Sequence, residues 1–434
     1  DLRMAFEEVT GQDLNWFFNQ WFLDKGHPIL NVNWEHLGDS LVLNVDQVQS
    51  ANQPTFKFPV DVDIYFGDKV ESKKLWITKR TESFVFQGLG GAEAVNFDSK
   101  KVLLIELNQS LTPEEAFVLF KESDDYGTKL ESMIQVKGDT SITSWELMNL
   151  AAKDKFNSFR KLSVYFSTPF DEGKTEEHKA FLFDMFDKDP SSDVRVAIIN
   201  STQSTWPGDS SLITFYKKSL NDSSINVKLT ALDVINEIAR EDALLRAYEL
   251  EKETDSRVIR QLASMYIGVR DESKIKWYNW AMKQVEARSK EYVIYKYSQY
   301  LFEKGNDIIW KACKALEEEA IHENNKKVRV EAALAIQRLR ERNIQRIEDI
   351  RKDIKDKKEA SRGKPYDLKI LIEKHEELLA HDKRMAELLQ KIYDAEINEN
   401  NKKEYNNNGL ITTVVPDFNQ EEEAENSTDG KAAE

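Results

Sequence analysis

The histidines are the residues of this sequence whose types and spacing could build a metal centre. Hydrolytic zinc sites of the H-E-x-x-H kind place two histidines on one helical face, where both bind the ion while the glutamate activates water. His322-Glu323 begins such a pattern, but it ends in Lys326, a cation that cannot ligate zinc while protonated. His375 and His381 are six residues apart, about 600° around a helix, so they cannot chelate one ion together. We interpret these three histidines as exposed helical residues.

Other chemistries find no better support. Cys313 lies in a helical stretch, and we expect it to be a small core residue; C-x-x-C and G-x-S-x-G patterns are absent. A phosphate loop places its glycines between a strand and a helix, whereas Gly88 to Gly91 precede a predicted strand and are followed by Glu93, which would repel phosphate. His27, between Gly26 and Pro28, fits a structural turn. We therefore predict no catalytic, cofactor-binding or metal-binding residue in this chain.

Composition limits the class of protein. The chain has 434 residues, 61 basic and 77 acidic, with a net charge of −16 and 40% hydrophobic residues. This length predicts two to four domains with real cores. An acidic chain lacks the basic footprint that nucleic acids and anionic membranes require, and no apolar run is long enough for insertion into a bilayer. A single cysteine excludes internal disulfides and leaves the compartment open, either cytoplasmic or exported.

Residues 1–27 predict two short helices. Leu2, Phe6 and Val9 share one face of the first helix, which ends at Gly11, and Asp13 is a plausible N-cap of the second. A five-residue apolar stripe follows: Leu14, Phe17, Phe18, Trp21 and Phe22. Two short helices cannot cover such a stripe, so either it packs on the following domain or most of its partner lies upstream of Asp1. Because the chain opens inside a helical pattern and without Met, we expect a fragment or a processed product.

Residues 28–110 change to a period of two, which is typical of half-buried strands. Short runs alternate apolar and polar residues and are separated by turn-forming residues. We predict about seven strands in an antiparallel β-sandwich domain. The alternating apolar positions are Leu41, Leu43, Val45, Val60, Val62, Ile64, Phe66, Leu75, Ile77, Phe84 and Phe86.

Residues 111–396 are rich in helix formers and begin with a helix start at Thr112-Pro113. A valine recurs every 31 to 35 residues, and a period in this range indicates stacked two-helix units. We expect each valine to pack inward near the start of the second helix, while a basic residue beside it stays solvated or pairs with a neighbouring unit. The region resembles HEAT or armadillo repeats, with a non-repetitive helix bundle as the alternative. The recurring valines are Val194, Val227, Val258, Val293 and Val328.

Residues 397–434 form an acidic, asparagine-rich segment. From Glu399 onward it has nine acidic and three basic residues and few large apolar side chains. We predict a disordered tail. The fold class predicted for the whole chain is therefore multidomain and mainly α: a short helical remnant, an antiparallel β-sandwich, and a HEAT/armadillo-like α-solenoid.

One run of residues resembles a known family. Glu8-Val9-Thr10-Gly11-Gln12-Asp13-Leu14, Trp16-Phe17-Phe18-Asn19-Gln20-Trp21-Phe22 and Gly26-His27-Pro28 are similar to the end of the catalytic domain of M1-family (gluzincin) zinc aminopeptidases, where such a segment leads into a β-sandwich. Ala94-Val95-Asn96-Phe97-Asp98 loosely matches the last sandwich strand of that family. The helical remainder is similar only in architecture.

The resemblance implies a parent protein that uses one Zn²⁺ ion to remove N-terminal residues from peptides. Residues 1–27 would be the terminal helices of its truncated catalytic domain, and the other domains would shape and cover the active-site cleft. The partners implied are this upstream catalytic domain and, for the parent, peptide substrates. This chain alone would bind no zinc and would be inactive.

Two alternatives belong to other classes of protein. A helical array offers a concave surface that binds partners, so the chain could be a non-catalytic scaffold for protein–protein interaction. It could also be a self-contained scaffold without a missing domain. The aromatic stripe of residues 14–22 argues against the second alternative, because it would then lack a cover.

Overall fold

The computed structural model describes residues 2–168, 172–359 and 365–398. The fold is mostly helical, with a small two-sheet region followed by a helical stack, as the sequence predicted. The chain divides into two compact units, Asp1–Ala231 and Leu232–Glu434. This division falls inside the predicted helical domain, and the domain boundaries taken from the sequence remain predictions. The predicted disorder of the tail concerns residues outside the described part, apart from the last two residues of the final helix.

The first unit begins with two short helical segments. Helix α1 (Leu2–Thr10) ends at Gly11, whose φ of +66° is the left-handed conformation that glycine adopts without strain. Helix α2 (Asn15–Phe18) continues directly into a π turn, Asn19–Leu23. In a π turn each residue hydrogen-bonds to the fifth residue before it, so side chains five apart come to share a side. The sequence did not predict this widening.

Seven strands follow and form two packed sheets, in the orders β5-β2-β1-β7 and β4-β3-β6. The pairs are antiparallel, as predicted, except β1–β7, where Ile29 and Glu106 run in the same direction. The last strand enters from a long connection and lies beside the first, where a hairpin cannot form. The strands are β1 (Ile29–Leu37), β2 (Ser40–Gln47), β3 (Phe58–Phe66), β4 (Lys69–Ile77), β5 (Thr81–Gln87), β6 (Ala94–Phe97) and β7 (Glu106–Asn108).

The sandwich core consists of the alternating side chains of the two inner faces. Most of the predicted inward positions on β2 and β3, among them Leu41, Leu43, Val60 and Val62, are buried. Phe66, Leu75, Phe84 and Phe86, also predicted to face inward, are only partly buried and pack around this core.

A capping box connects the sandwich to the helices of the first unit. Thr112 accepts a hydrogen bond from the backbone of Glu115, whose side chain accepts one from the backbone of Thr112. Glu115 Oε1 also accepts a hydrogen bond from Trp34 Nε1 on β1, at 2.7 Å. The helices that follow are α3 (Pro113–Glu122), α4 (Tyr126–Gln135), α5 (Ile142–Ala151), α6 (Asn157–Phe166), α7 (Thr175–Lys188), α8 (Ser192–Thr205) and α9 (Ile213–Ser219).

Helix α10 (Ile225–Ile238) contains the division between the units, and the second unit continues with helices that stack in pairs. Its last two helices, each 34 residues long, form an antiparallel hairpin that departs from the two-helix repeat. Arg340 pairs with Asp382 across this hairpin at 3.0 Å. These helices are α11 (Arg240–Glu249), α12 (Ser256–Met265), α13 (Ser273–Gln284), α14 (Ala287–Leu301), α15 (Asn306–His322), α16 (Lys326–Glu359) and α17 (Pro365–Asn398).

Four of the five recurring valines lie near the start of a second helix, as the sequence analysis expected. Val194, Val227, Val258 and Val328 each occupy the third residue of an even-numbered helix, and Val293 the seventh residue of α14. All five side chains are fully buried. Even-numbered helices also contact each other directly, as α6 with α8 and α12 with α14. The valines therefore recur because each belongs to the second helix of a unit, and these second helices form one layer of a solenoid-type stack.

Candidate functional site: an exposed apolar surface on the N-terminal helices

Helix α1 carries an apolar face that the described residues leave uncovered. Leu2, Phe6 and Val9 are 60%, 50% and 87% exposed, and no residue of the helix is buried. Leu14 N–H donates to Glu7 Oε1 at 2.9 Å, and Arg3 holds the same carboxylate at 2.7 Å. These bonds fix the turn between α1 and α2 at Gly11, so the apolar face is presented by an ordered turn.

The second segment adds aromatic side chains to this surface. Phe18 lies between Phe6 and Phe22, with ring centroids 6.4 and 4.9 Å away. Phe22 and Leu23 are 60% and 79% exposed. Leu2, Phe6, Val9, Phe17, Phe22 and Leu23 together are the N-terminal apolar surface.

The opposite side of the same segment packs on the sandwich. The ring of Trp16 contacts Trp76 at 5.5 Å, and the ring of Trp21 contacts Phe56, a core residue, at 5.6 Å. Gln20 donates to the carbonyl of Lys57 and accepts from its N–H, at 3.0 and 2.7 Å. The first alternative for the stripe is therefore partly met, because its tryptophan side packs on the following domain. Its phenylalanine side is exposed, and a partner upstream of Asp1 stays a prediction.

The exposed apolar surface is comparable to the largest apolar patch of a typical monomeric protein, and such patches are often functional. Contiguous apolar patches on monomeric proteins rarely exceed about 300–600 Å², and larger ones mark interaction sites. Large aromatic side chains bury about 150–250 Å² each when covered, so two half-exposed phenylalanines with their aliphatic neighbours reach this range. The arrangement can bind another apolar surface, and it contains no group able to perform proton transfer or nucleophilic attack.

The histidines of the sequence analysis lie apart from this surface. His322 ends α15 and is exposed, as expected, whereas Lys326 begins the next helix, so the H-E-x-x-K run does not lie on one helix. The expectation that His381 is exposed is wrong, because this residue of helix α17 is only 4% exposed. His375 is half-buried and accepts a hydrogen bond from Arg351 Nε at 3.0 Å. Within the described ranges, no group of three or more His, Cys, Asp or Glu side chains could hold a metal ion.

The remaining positions considered for chemistry have structural roles. Burial raises the pKa of the Cys313 thiol to about 12, as expected of a core cysteine. Gly88, with φ of +78°, belongs to a turn that leads into strand β6, so a strand follows it as the sequence predicted. His27 Nε2 lies 2.6 Å from Glu106 Oε1, so it ties the junction at Pro28 to the start of β7.

Sequence reasoning missed one buried polar pair. Ser167 Oγ lies 2.9 Å from His178 Nε2, among the rings of Trp145, Phe181 and Trp206. Burial lowers the pKa of His178 to about 4. A nucleophilic serine needs an accessible histidine held by a third group, but His178 is 1% exposed and its Nδ1 has no hydrogen-bond partner among the described residues. The pair is therefore part of the core.

Comparisons with known proteins give no family. No protein-family model and no curated protein sequence matches the chain. A similar solved structure is that of Legionella pneumophila aminopeptidase A in complex with aspartic acid, with 12% identity and a TM-score of 0.41 over 78% of this chain. The match covers 50% of the length of that protein. A TM-score this low assigns neither fold family nor activity. No described helix is both long and apolar enough to cross a membrane.

Proposed function

We propose that this chain is the C-terminal part of a zinc aminopeptidase of the M1 type and supplies domains ancillary to an upstream catalytic domain. The observation that carries the proposal is the N-terminal apolar surface. Four of its six residues, Val9, Phe17, Phe22 and Leu23, lie within the run from Glu8 to Pro28 that resembles the end of such a catalytic domain. In the proposed parent, the helical domain covers the cleft in which one Zn²⁺ ion acts on peptide N-termini.

The division of the N-terminal segments into two sides supports this role. Trp16 and Trp21 hold the segments on the sandwich, so the phenylalanine side is oriented away from it. A segment anchored on one side and apolar on the other suits a boundary between two domains of one protein. In this proposal the chain alone binds no catalytic zinc and hydrolyses nothing.

Sequencing the coding DNA upstream of the Asp1 codon is the first test. We expect an open frame of roughly 400 codons, the size of two or three domains, that encodes H-E-x-x-H, a further glutamate and G-x-M-E-N. An upstream domain without the zinc ligands would contradict the enzyme proposal and leave a non-catalytic interaction scaffold. A start codon directly before Asp1 would contradict both the peptidase and the domain boundary.

Reassembly from two chains tests the surface itself. The upstream polypeptide and this chain are produced together, and their association and the hydrolysis of an aminoacyl-coumarin amide are measured. Phe22→Asp with Leu23→Asp should prevent association. Val102→Asp with Leu104→Asp is the matched control, because these side chains are also exposed, at 72% and 73%, but lie in the connection between β6 and β7. Equal association of both variants would contradict the assignment of the surface.

A further inference from the structure

Three successive second helices of the second unit share a row of tyrosines and cations. Arg260 on α12 lies over the ring of Tyr292 on α14, 4.7 Å from its centroid. Lys296 Nζ lies 5.3 Å from both Tyr292 and Tyr295, and Arg338 on α16 lies 4.9 Å from Tyr295. These five residues, the tyrosine–cation row, form one unbroken chain of contacts. Tyr295 is 37% exposed and the other four residues are partly exposed, so a ligand in solution can reach the row.

The cations of the row are poorly neutralised for so acidic a chain. Within the part of the chain that the structure describes, Arg260 and Lys296 form no ion pair, and the buried Nε of Arg260 has no hydrogen-bond partner. Lys296 donates to Gln299 Oε1 at 3.3 Å, a neutral acceptor. Arg338 pairs with Glu331 at 2.7 Å. Arg340, by contrast, holds the carboxylate of Asp382 at 3.0 Å. The row therefore offers positive charge that a ligand can neutralise.

A cleft of about 280 Å³ opens at the Arg260 end of the row. One wall carries Asp233, which accepts a hydrogen bond from Gln261 Nε2 at 2.7 Å. Burial in the cleft and the nearby charge of Glu237 raise the pKa of Asp233. This carboxylate repels an anionic ligand, whereas the row beyond Tyr292 attracts one. The residues lining the cleft are Asp233, Arg257, Arg260, Gln261, Ser264 and Tyr292.

We propose that the tyrosine–cation row binds an extended polypeptide segment rich in Asp and Glu. Its carboxylates would pair with Arg260 and Lys296, and its aliphatic side-chain carbons would pack on the rings of Tyr292 and Tyr295. Charge complementarity identifies the partner, because unpaired cations stacked on aromatic rings suit carboxylates joined by a flexible, partly apolar backbone. Asp233 marks the end of the row at which acidic residues are disfavoured. This proposal does not depend on the peptidase proposal.

Fluorescence anisotropy with the full chain tests the proposal. The probe is a labelled twelve-residue peptide of Glu, Leu and Ser, compared with the same peptide in which every Glu is Gln. We expect saturable binding of the Glu peptide only, weakened by salt. Arg260→Ala and Lys296→Ala should each raise the Kd at least about threefold, the effect of one partly desolvated ion pair. Asp233→Asn should lower the Kd, since it removes a repelling charge.

Lys276→Ala is the matched control, since Lys276 is an exposed cation of the same unit on helix α13. Its Kd should equal that of the unaltered chain. Equal binding of the Gln peptide, or equal effects of the Lys276 and Lys296 variants, would overturn the proposal. A further outcome is that the peptide binds only after Glu421, Glu422, Glu423 and Glu425 are changed to Gln. That result would mean that the chain's own acidic segment occupies the row, and it would overturn the proposal of a separate partner. Circular dichroism of each variant excludes unfolding as the cause of lost binding.

Discussion

Arg195 holds Asp222 by two parallel hydrogen bonds, from Nε to Oδ2 at 2.8 Å and from Nη2 to Oδ1 at 2.9 Å. Arg195 follows the buried Val194, and Asp222 lies in the loop before the next even-numbered helix. Arg195 also donates to the carbonyl of Asp189, so one guanidinium joins two successive loops. Burial raises the pKa of Asp222, but the hydrogen bonds from Arg195 and from the backbone of Ser224 outweigh it and lower the pKa overall.

Replacing Arg195 should therefore destabilise the first unit. Arg195→Ala leaves Asp222 partly buried without its cation, and we expect a loss of about 2–4 kcal/mol in the free energy of unfolding. Arg195→Lys keeps the charge but loses the second hydrogen bond, so its effect should be smaller. Urea unfolding followed by circular dichroism measures both. Arg288→Ala, at an exposed arginine of α14, should change the free energy little, and an equal loss there would refute the pairing as the cause.

The same residues show what the sequence could predict. The valine period placed Val194 and Val227 in the core, because inward packing at the start of a helix demands an apolar residue there. The sequence analysis also left open whether the neighbouring basic residue stays solvated or pairs with another unit. In the structure Arg195 is paired, with Asp222. The identity of the partner could not be predicted, since Asp222 is one of many acids in the chain and only the stacking of the helices brings it within reach.

Asp209 should contribute stability that is lost in acid. Lys179 Nζ, 2.7 Å from Asp209 Oδ2, and the hydroxyl and backbone N–H of Ser211 lower the pKa of Asp209 to about 2. Because the folded state holds fewer protons, this contribution is complete above the ordinary pKa of 3.8 and is lost as pH falls towards 2. Asp209→Asn should lower the thermal midpoint at pH 7 more than at about pH 2.5.

The matched control for this measurement is Asp193→Asn, at an exposed position on helix α8. Its thermal midpoint should shift little and equally at both pH values. If Asp209→Asn behaved in the same way, the ion pair with Lys179 would not stabilise the fold.

His178 should make the free energy of unfolding depend on pH in a higher pH range than Asp209 does. Burial lowers its pKa from 6.5 to about 4, so between these values the unfolded state binds a proton that the folded state does not. Stability therefore falls as pH drops through this range, by up to about 3 kcal/mol. His178→Gln removes the titrating group and keeps a hydrogen-bonding side chain for Ser167. The variant should lose much less stability between pH 6.5 and 4, and an unchanged slope would show that His178 is protonated within the fold.

The N-terminal apolar surface was only partly predictable. The sequence showed that the segment Leu14–Phe22 is strongly apolar and that it needs cover. It could not show which side chains face the sandwich, because a regular helix places Trp16 and Trp21 about 140° apart. The helix widens into a π turn at Asn19–Leu23, and both rings contact the sandwich. These contacts are tertiary, and no local sequence pattern records them.

Alanine substitutions at Trp21 and Phe22 should differ in their effect on stability, because Trp21 lies on the packed side of this segment and Phe22 on the exposed side. Trp21→Ala removes a ring packed on the buried Phe56 and should cost about 2 kcal/mol of unfolding free energy. Phe22→Ala removes a ring that is 60% exposed and should change stability by less than about 0.5 kcal/mol. Chemical unfolding of both variants measures the difference.

Binding of a hydrophobic dye such as ANS should show the reverse order. Phe22→Ala should lower dye fluorescence of the folded chain, because it removes exposed apolar area, whereas Trp21→Ala should leave it equal or raise it. A Phe22 variant as destabilised as the Trp21 variant would mean that the phenylalanine side is covered within this chain. The surface would then no longer be a site for another domain, and the proposal of an upstream catalytic partner would lose the observation that carries it.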